Sequence, residues 1–292
     1  MNIVGNQKSI KLLDRIATTG NIASAYLFLG PENVGKFSAA MEFAKNILVD
    51  DSKINSDLIV IAPEVEEVKG ISKKRDIKIE TIRELQHQLS LTSMGGRYKV
   101  VIIDEAERLN KSAQNALLKT LEDPNDRVVL LLVSQNENNI LPTIASRCQK
   151  IHFGLVTDSE MEKIIPKDNK NRKDILFWSI GRPGIAIDLL NNQTELSYRQ
   201  ETLREFSNLP AKNLNDRLVL AESLSKDSLE LQKKLNLWLI ILRQSMLGKV
   251  DAIRIPSDKA LIMIEGIYES LENIRETNSN VRLILENLFL KF

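Results

Sequence analysis

The chain has 292 residues, 43% apolar and 27% charged, which is enough for two or three packed units and excludes a disordered or fibrous composition. Its 40 basic and 39 acidic residues leave a net charge of +1, so nothing attracts nucleic acid globally and any DNA contact must be local or shared with partners. A single cysteine, Cys148, excludes a disulfide framework and a cysteine-rich zinc site.

The amphipathic N-terminus lacks the apolar core of a signal peptide, and no run reaches the roughly 18 apolar residues of a membrane span; the expectation is a cytoplasmic protein. Ala25–Leu29 is a short apolar run ending at Gly30 and Pro31, a buried strand feeding a turn. Residues 35–49 follow as a helix, with Ala39, Ala40, Phe43, Ala44 and Ile47 on one face. Residues 58–62 form a second apolar strand, stopped by Pro63, and the charged, aperiodic stretch 63–76 is a loop or short hairpin. Helical spacing returns over 81–91 through Ile82, Leu85 and Leu89, and Gly95-Gly96 breaks it. Lys99–Ile103 is a third strand. Residues 112–122 form a helix ended by Asp123-Pro124-Asn125, and 128–133 form a fourth apolar strand. Continuous apolar strands alternating with helices predict a parallel sheet covered on both faces.

After Phe153 the strand signal stops. Residues 157–165 and 175–190 read as helices, and everything from Ser197 onward reads as helix. Leu235, Trp238, Leu242 and Met246 make one stripe, Leu261, Ile264, Ile267, Leu271 and Ile274 another, and Ile284, Leu285, Leu288, Phe289 and Phe292 close the chain. The expected organisation is an α/β nucleotide-binding domain over 1–155, a small helical lid over 156–196 and a helical collar over 197–292.

Gly30-Pro31-Glu32-Asn33-Val34-Gly35-Lys36 has the spacing of a phosphate loop, placed between a strand and a helix as that motif requires. Glycines there let backbone N–H groups approach phosphate oxygens, the helix N-terminus adds a favourable dipole, and Lys36 reaches the β- and γ-phosphates. The next position should carry a Ser or Thr hydroxyl for Mg²⁺ but holds Phe37, and Ser38 is turned about 100° away on a helix. The expectation is weakened binding of ATP or ADP with Mg²⁺ and little hydrolysis. Asp104 and Glu105 end the third strand in the Walker-B form, Asp104 orienting Mg²⁺ and Glu105 activating water. Ser134, at the end of the fourth strand, is a candidate polar sensor.

Ser146-Arg147-Cys148, together with the block from Asn115 through Lys119 to Pro124, resembles the clamp-loader AAA+ family, and the resemblance covers nearly the whole chain. It implies a RecA-like P-loop domain, a helical lid and an all-helical collar for oligomerisation. It also implies that Arg147 is an arginine finger acting on a neighbouring subunit's nucleotide. Within the family, Lys78 to Leu85, followed by Leu89-Ser90-Leu91-Thr92, is similar to the delta-prime branch of the bacterial DNA polymerase III complex. Gly181-Arg182-Pro183-Gly184 resembles the segment where motor subunits carry a sensor arginine, with Arg182 shifted against that pattern. Residues 278–290 are similar to the last collar helix.

The resemblance implies gamma/tau- and delta-like subunits as partners in a hetero-pentamer, with the sliding clamp and primer–template DNA reached through the complex. DNA contact is expected at phosphates, with Lys111 a candidate. Many relatives carry a four-cysteine zinc module near residues 49–55; this chain has no cysteine there, and His87 and His152 are isolated, so no zinc is expected. Two readings stay open: a stator-like subunit with little turnover of its own, favoured by Phe37, and an active gamma/tau-like motor, favoured by Lys36, Asp104 and Glu105. A P-loop kinase lacks an acceptor-binding motif and has no use for the long helical C-terminus, and no polymerase site is apparent in the chain.

Overall fold

A computed structural model describes residues 3–48, 57–68, 71–90, 98–124, 127–249, 255–276 and 280–291. The stretch 49–55, the Gly95-Gly96 break, Leu91-Thr92, Asn125 and Phe292 lie outside these residues. The chain forms two compact units, one of residues 1–166 with 181–185 and the other of 167–180 with 186–292. Residues of the stretch 156–196 fall in both. No helix among the described residues is long and apolar enough to cross a membrane.

In the first unit α1 (Gln7–Thr19), β1 (Ala25–Leu29) and α2 (Lys36–Leu48) precede β2 (Leu58–Ile61). A hairpin of β3 (Val65–Val68) and β4 (Ile71–Lys74) follows, then α3 (Ile79–Ser90), β5 (Lys99–Ile103), α4 (Lys111–Glu122), β6 (Val128–Ser134), α5 (Pro142–Ala145), β7 (Gln149–His152) and α6 (Asp158–Met161). The sheet order is β2-β5-β6-β1-β7, with every pairing parallel.

Alternation explains why the strands read as continuous apolar runs. Leu27, Val101, Ile103, Leu130 and Leu132 point into one core with Ile82, Leu85 and Leu117. Their neighbours Tyr26, Phe28, Val100, Ile102 and Leu131 point into the other with Leu13, Ala40 and Phe43. Both faces are therefore buried, as a helix-covered parallel sheet demands. Tyr26 meets Phe43 edge-on at 5.1 Å, and Phe28 stacks on Phe153 at 5.8 Å.

Three local expectations need correction. The sheet has a fifth strand, β7, in which Ile151 alone is buried; an edge strand need bury little, so it carries no apolar run. The helix expected over 157–165 is the single turn α6, started by a capping box between Thr157 and Glu160. The helix expected over 175–190 is two, α7 (Arg172–Ser179) and α8 (Pro183–Asn191), because Ile180 (φ 48°) and Gly181 (φ 66°) turn left-handed between them. Gly181 has no alternative there: a Cβ would lie 2.4 Å from the Val156 carbonyl oxygen, whose own N–H donates to Gly181 O.

The second unit continues with α9 (Gln193–Asn208), α10 (Leu214–Leu224), α11 (Ser228–Met246), α12 (Ser257–Glu276) and α13 (Val281–Leu290). Its core gathers Trp238 between Phe206 (5.5 Å) and Phe289 (6.0 Å), with Leu235, Leu242, Ile267 and Leu285 fully covered. The stripe positions Leu235, Trp238 and Leu242 are buried as the spacing predicts, whereas Met246 and Leu261 are exposed.

Candidate functional site

The turn after β1 is shaped by three left-handed residues, Gly30 (φ 147°), Asn33 (φ 61°) and Gly35 (φ 95°). At Gly30 a Cβ would sit 2.1 Å from the Phe153 carbonyl oxygen, so only glycine lets the loop leave β1 beside β7. Val34 is fully buried and anchors the loop from below. Lys36 opens α2, is 6% exposed, and donates from Nζ to Gly30 O (2.7 Å) and Pro31 O (2.6 Å). Burial pushes its ammonium pKa down; Glu107, Asp104 and Glu32 push it back up, and Arg182 adds to the fall. Phe37 is exposed and Ser38 half-buried, so the hydroxyl expected after the lysine is replaced by an aromatic ring.

Asp104, one residue beyond β5, is raised by burial and by the neighbouring Glu105 charge, while the Glu105 N–H on its Oδ1 (3.0 Å), Lys36 and Lys74 act the other way. Glu105 itself turns left-handed (φ 47°). Burial would raise its carboxyl, but hydrogen bonds from Lys74 and from Arg108 Nε (2.7 Å) outweigh it and hold the group below its ordinary value. Both partners come from segments stitched together by backbone bonds: the Ile77 N–H donates to Arg108 O, and the Asn110 N–H to Ile77 O. Ser134 ends β6 buried, and its hydroxyl is spent within its own turn, donating to Asn136 O at 3.1 Å.

Arg182 reaches this site through a contact that spacing does not reveal. The Gly184 N–H donates to Asn33 O (2.9 Å), laying 181–185 against the phosphate loop. Two polar atoms buried here have no hydrogen-bond partner, Glu107 Oε2 and Arg182 Nε. Glycine cradles, a buried lysine and an unpartnered arginine nitrogen fit a phosphate chain. For Mg²⁺ the fit is poorer, since Asp104 is present and the hydroxyl is not.

Phosphate loop, Asp104 and Ser134 all lie at or just past the C-terminal ends of parallel strands, where such sheets bind ligands. Arg147 lies elsewhere. It lies in the turn before β7, whose first residue Gln149 pairs with Tyr26 near the start of β1, so Arg147 stands at the end of the sheet opposite the phosphate loop. Arg147 is exposed, donating to Thr143 O (2.9 Å) and to Glu122 Oε1 (3.0 Å). Cys148 beside it is buried, and its thiol is pushed up to about 12, out of the reactive range. Lys111 is exposed at the start of α4. Sequence reasoning missed Lys74, Arg108 and Glu107; a third acid within Asp104-Glu105-Ala106-Glu107 was the available signal.

Known proteins share this chain's features to differing extents. It is 31% identical over 176 residues to DNA polymerase III subunit tau of Bacillus subtilis, an alignment covering 58% of this chain and 31% of that protein. It is 34% identical over 143 residues to DNA polymerase III subunit delta' of Pseudomonas aeruginosa, covering 43% of this chain and 42% of the relative. The chain thus spans less than half the length of either. A crystal structure of a DNA polymerase III gamma subunit-related protein from Thermotoga maritima shares the fold, with a TM-score of 0.53 at 20% identity over 97% of both chains. The profile of the family described as "DNA polymerase III, delta subunit" matches residues 5–157, just over half of the sequence. On that match, the chain belongs to the DNA polymerase III, delta subunit family.

Proposed function

We propose that this chain is a delta-prime-type, stator-like subunit of the DNA polymerase III clamp loader. It sits in a hetero-pentamer with gamma/tau- and delta-like subunits and helps ATP-dependent loading of the sliding clamp onto primed DNA. Arg147 is its contribution to catalysis, acting on a neighbour's nucleotide. The observation that carries this reading is the position of Arg147, at the end of the sheet opposite its own phosphate loop, exposed and held by one surface carboxylate. A guanidinium so placed cannot serve its own site and is free to serve another, where such fingers contribute about 10³–10⁵ in rate.

Phe37 in the hydroxyl position and Glu105 held by Lys74 and Arg108 support weak turnover of its own. ATP or ADP, if bound, would lie against Gly30, Gly35, Lys36 and Arg182, with Mg²⁺ near Asp104. Apolar side chains exposed on the C-terminal helices, among them Leu261, Ile262, Tyr268, Leu283 and Leu290, support a collar that joins partner subunits.

The second reading, an active gamma/tau-like motor, is favoured by the gathering of Lys36, Asp104 and Arg182 at one site. Steady-state ATP hydrolysis with primed DNA and clamp separates the two, measured on the chain alone and assembled with its cognate motor subunits. A silent isolated chain, with assembled turnover falling at least about tenfold on Arg147→Ala, is the expected result. Robust turnover by the isolated chain, indifferent to that substitution, would make it a motor.

A further inference from the structure

The acid turned toward the phosphate loop is not the one its sequence position suggests. Glu105 leaves β5 left-handed, and its carboxylate is taken by Lys74 and Arg108. Glu107 stands on the single 3₁₀ turn Ala106–Arg108 that follows. Its Oε1 accepts from the Gln135 N–H at 3.3 Å, just past Ser134, and the side-chain amide of the same Gln135 bonds Glu32 of the phosphate loop. Gln135 therefore ties Glu107 and the loop together, while Glu107 Oε2 is buried with no hydrogen-bond partner. The charges of Glu107, Asp104 and Glu32 all act against the fall that burial imposes on the Lys36 ammonium.

Lys36 is largely withdrawn from solvent, and its two carbonyl acceptors supply dipoles and no charge. We propose that Glu107 is a resident counter-anion for Lys36, competing with nucleotide phosphates for the buried ammonium and so setting a low nucleotide affinity in this subunit. A triphosphate entering the loop meets a second anion in a poorly solvated site, where like charges repel far more than in water. Glutamine keeps the shape and the Gln135 contact but removes the charge, which frees Lys36 for phosphate. The proposal rests on reading the Gly30–Lys36 loop as a nucleotide site, and it concerns affinity, not the trans role of Arg147.

The test is calorimetric titration of the full chain with ATP in the absence of divalent metal. The variants are Glu107→Gln, Glu107→Ala, the double variant Glu107→Gln/Lys36→Ala, and Glu66→Gln. The last makes the same charge change at a carboxylate paired with Arg75 on the β3–β4 hairpin. Thermal melts confirm that each is folded. Both Glu107 variants should bind at least about tenfold more tightly than the natural chain, the gain should vanish in the double variant, and Glu66→Gln should stay within about twofold. If the natural chain binds through Lys36 and the Glu107 variants bind no more tightly, the counter-anion is wrong while the nucleotide site stands. If the gain survives loss of Lys36, or no variant binds, the site reading falls and the proposal with it.

Discussion

Gly30 offers a quantitative test of how β1 hands the chain to the phosphate loop. In Gly30→Ala the new methyl would lie 2.1 Å from the Phe153 carbonyl oxygen and 2.9 Å from its carbon. Carbon–oxygen contacts settle near 3.3 Å, so roughly 1.2 Å of movement is needed. The obstacle is backbone, so relief requires the chain at Phe153 itself to shift. Residue 30 also keeps a φ of 147°, which costs an L-residue about 1–2 kcal/mol. Moving Phe153 away loosens its N–H bond to Leu29 O (2.7 Å), worth about 1 kcal/mol, and its stacking on Phe28, worth about another. The expected destabilisation is about 3–4 kcal/mol, measured by urea unfolding followed by far-ultraviolet circular dichroism. Gly20→Ala is the control: Gly20 is left-handed at φ 71° with nothing within 4 Å of its Cβ, so it should cost only the conformational part, about 1–2 kcal/mol. If Gly30→Ala loses no more than Gly20→Ala, the close approach of loop and β7 does not constrain the site, and the reasoning fails.

In the second unit Glu195 accepts from Arg199 Nε and Lys233 Nζ, each at 2.8 Å. Burial raises its carboxyl, but these bonds outweigh it and hold the folded group below the ordinary glutamate value. The stability it confers is therefore present above the unfolded value and lost as pH falls through the folded one. Glu195→Gln should cost about 1–2 kcal/mol near neutrality, with the gap from the natural chain closing as pH drops below about 4.5; a gap that persists in acid would mean the charge is irrelevant. Trp238→Ala removes a ring 1% exposed between Phe206 and Phe289 and should cost about 3–5 kcal/mol in the same unfolding assay. A loss below about 1.5 kcal/mol would mean that this three-ring packing does not hold the unit together.

Much of the fold was legible because burial leaves a local signature. A strand covered on both faces must be apolar at every position, so Ala25–Leu29, Lys99–Ile103 and the run from Val128 announced themselves. The Gly30–Lys36 turn was legible for a related reason: two glycines and a lysine at fixed spacing between strand and helix leave few conformations. Strand β7 was not, because only Ile151 of its four residues is buried. Neither was the break at Ile180 and Gly181, since Ile180 gives no hint of a left-handed backbone.

The parallel α/β unit, the helical remainder and the phosphate loop with its missing hydroxyl all follow from residue types at short separations along the chain. Which charges meet is settled by the folded arrangement of distant segments. It gave Glu105 to Lys74 and Arg108, tied Glu107 through Gln135 to the phosphate loop, laid the Arg182 segment against Asn33 through the Gly184 N–H, and set Arg147 at the far end of the sheet. Hydrophobic burial is written in period and composition. Charge pairing depends on strand register and on where distant segments cross, and neither is carried by any short stretch of the chain.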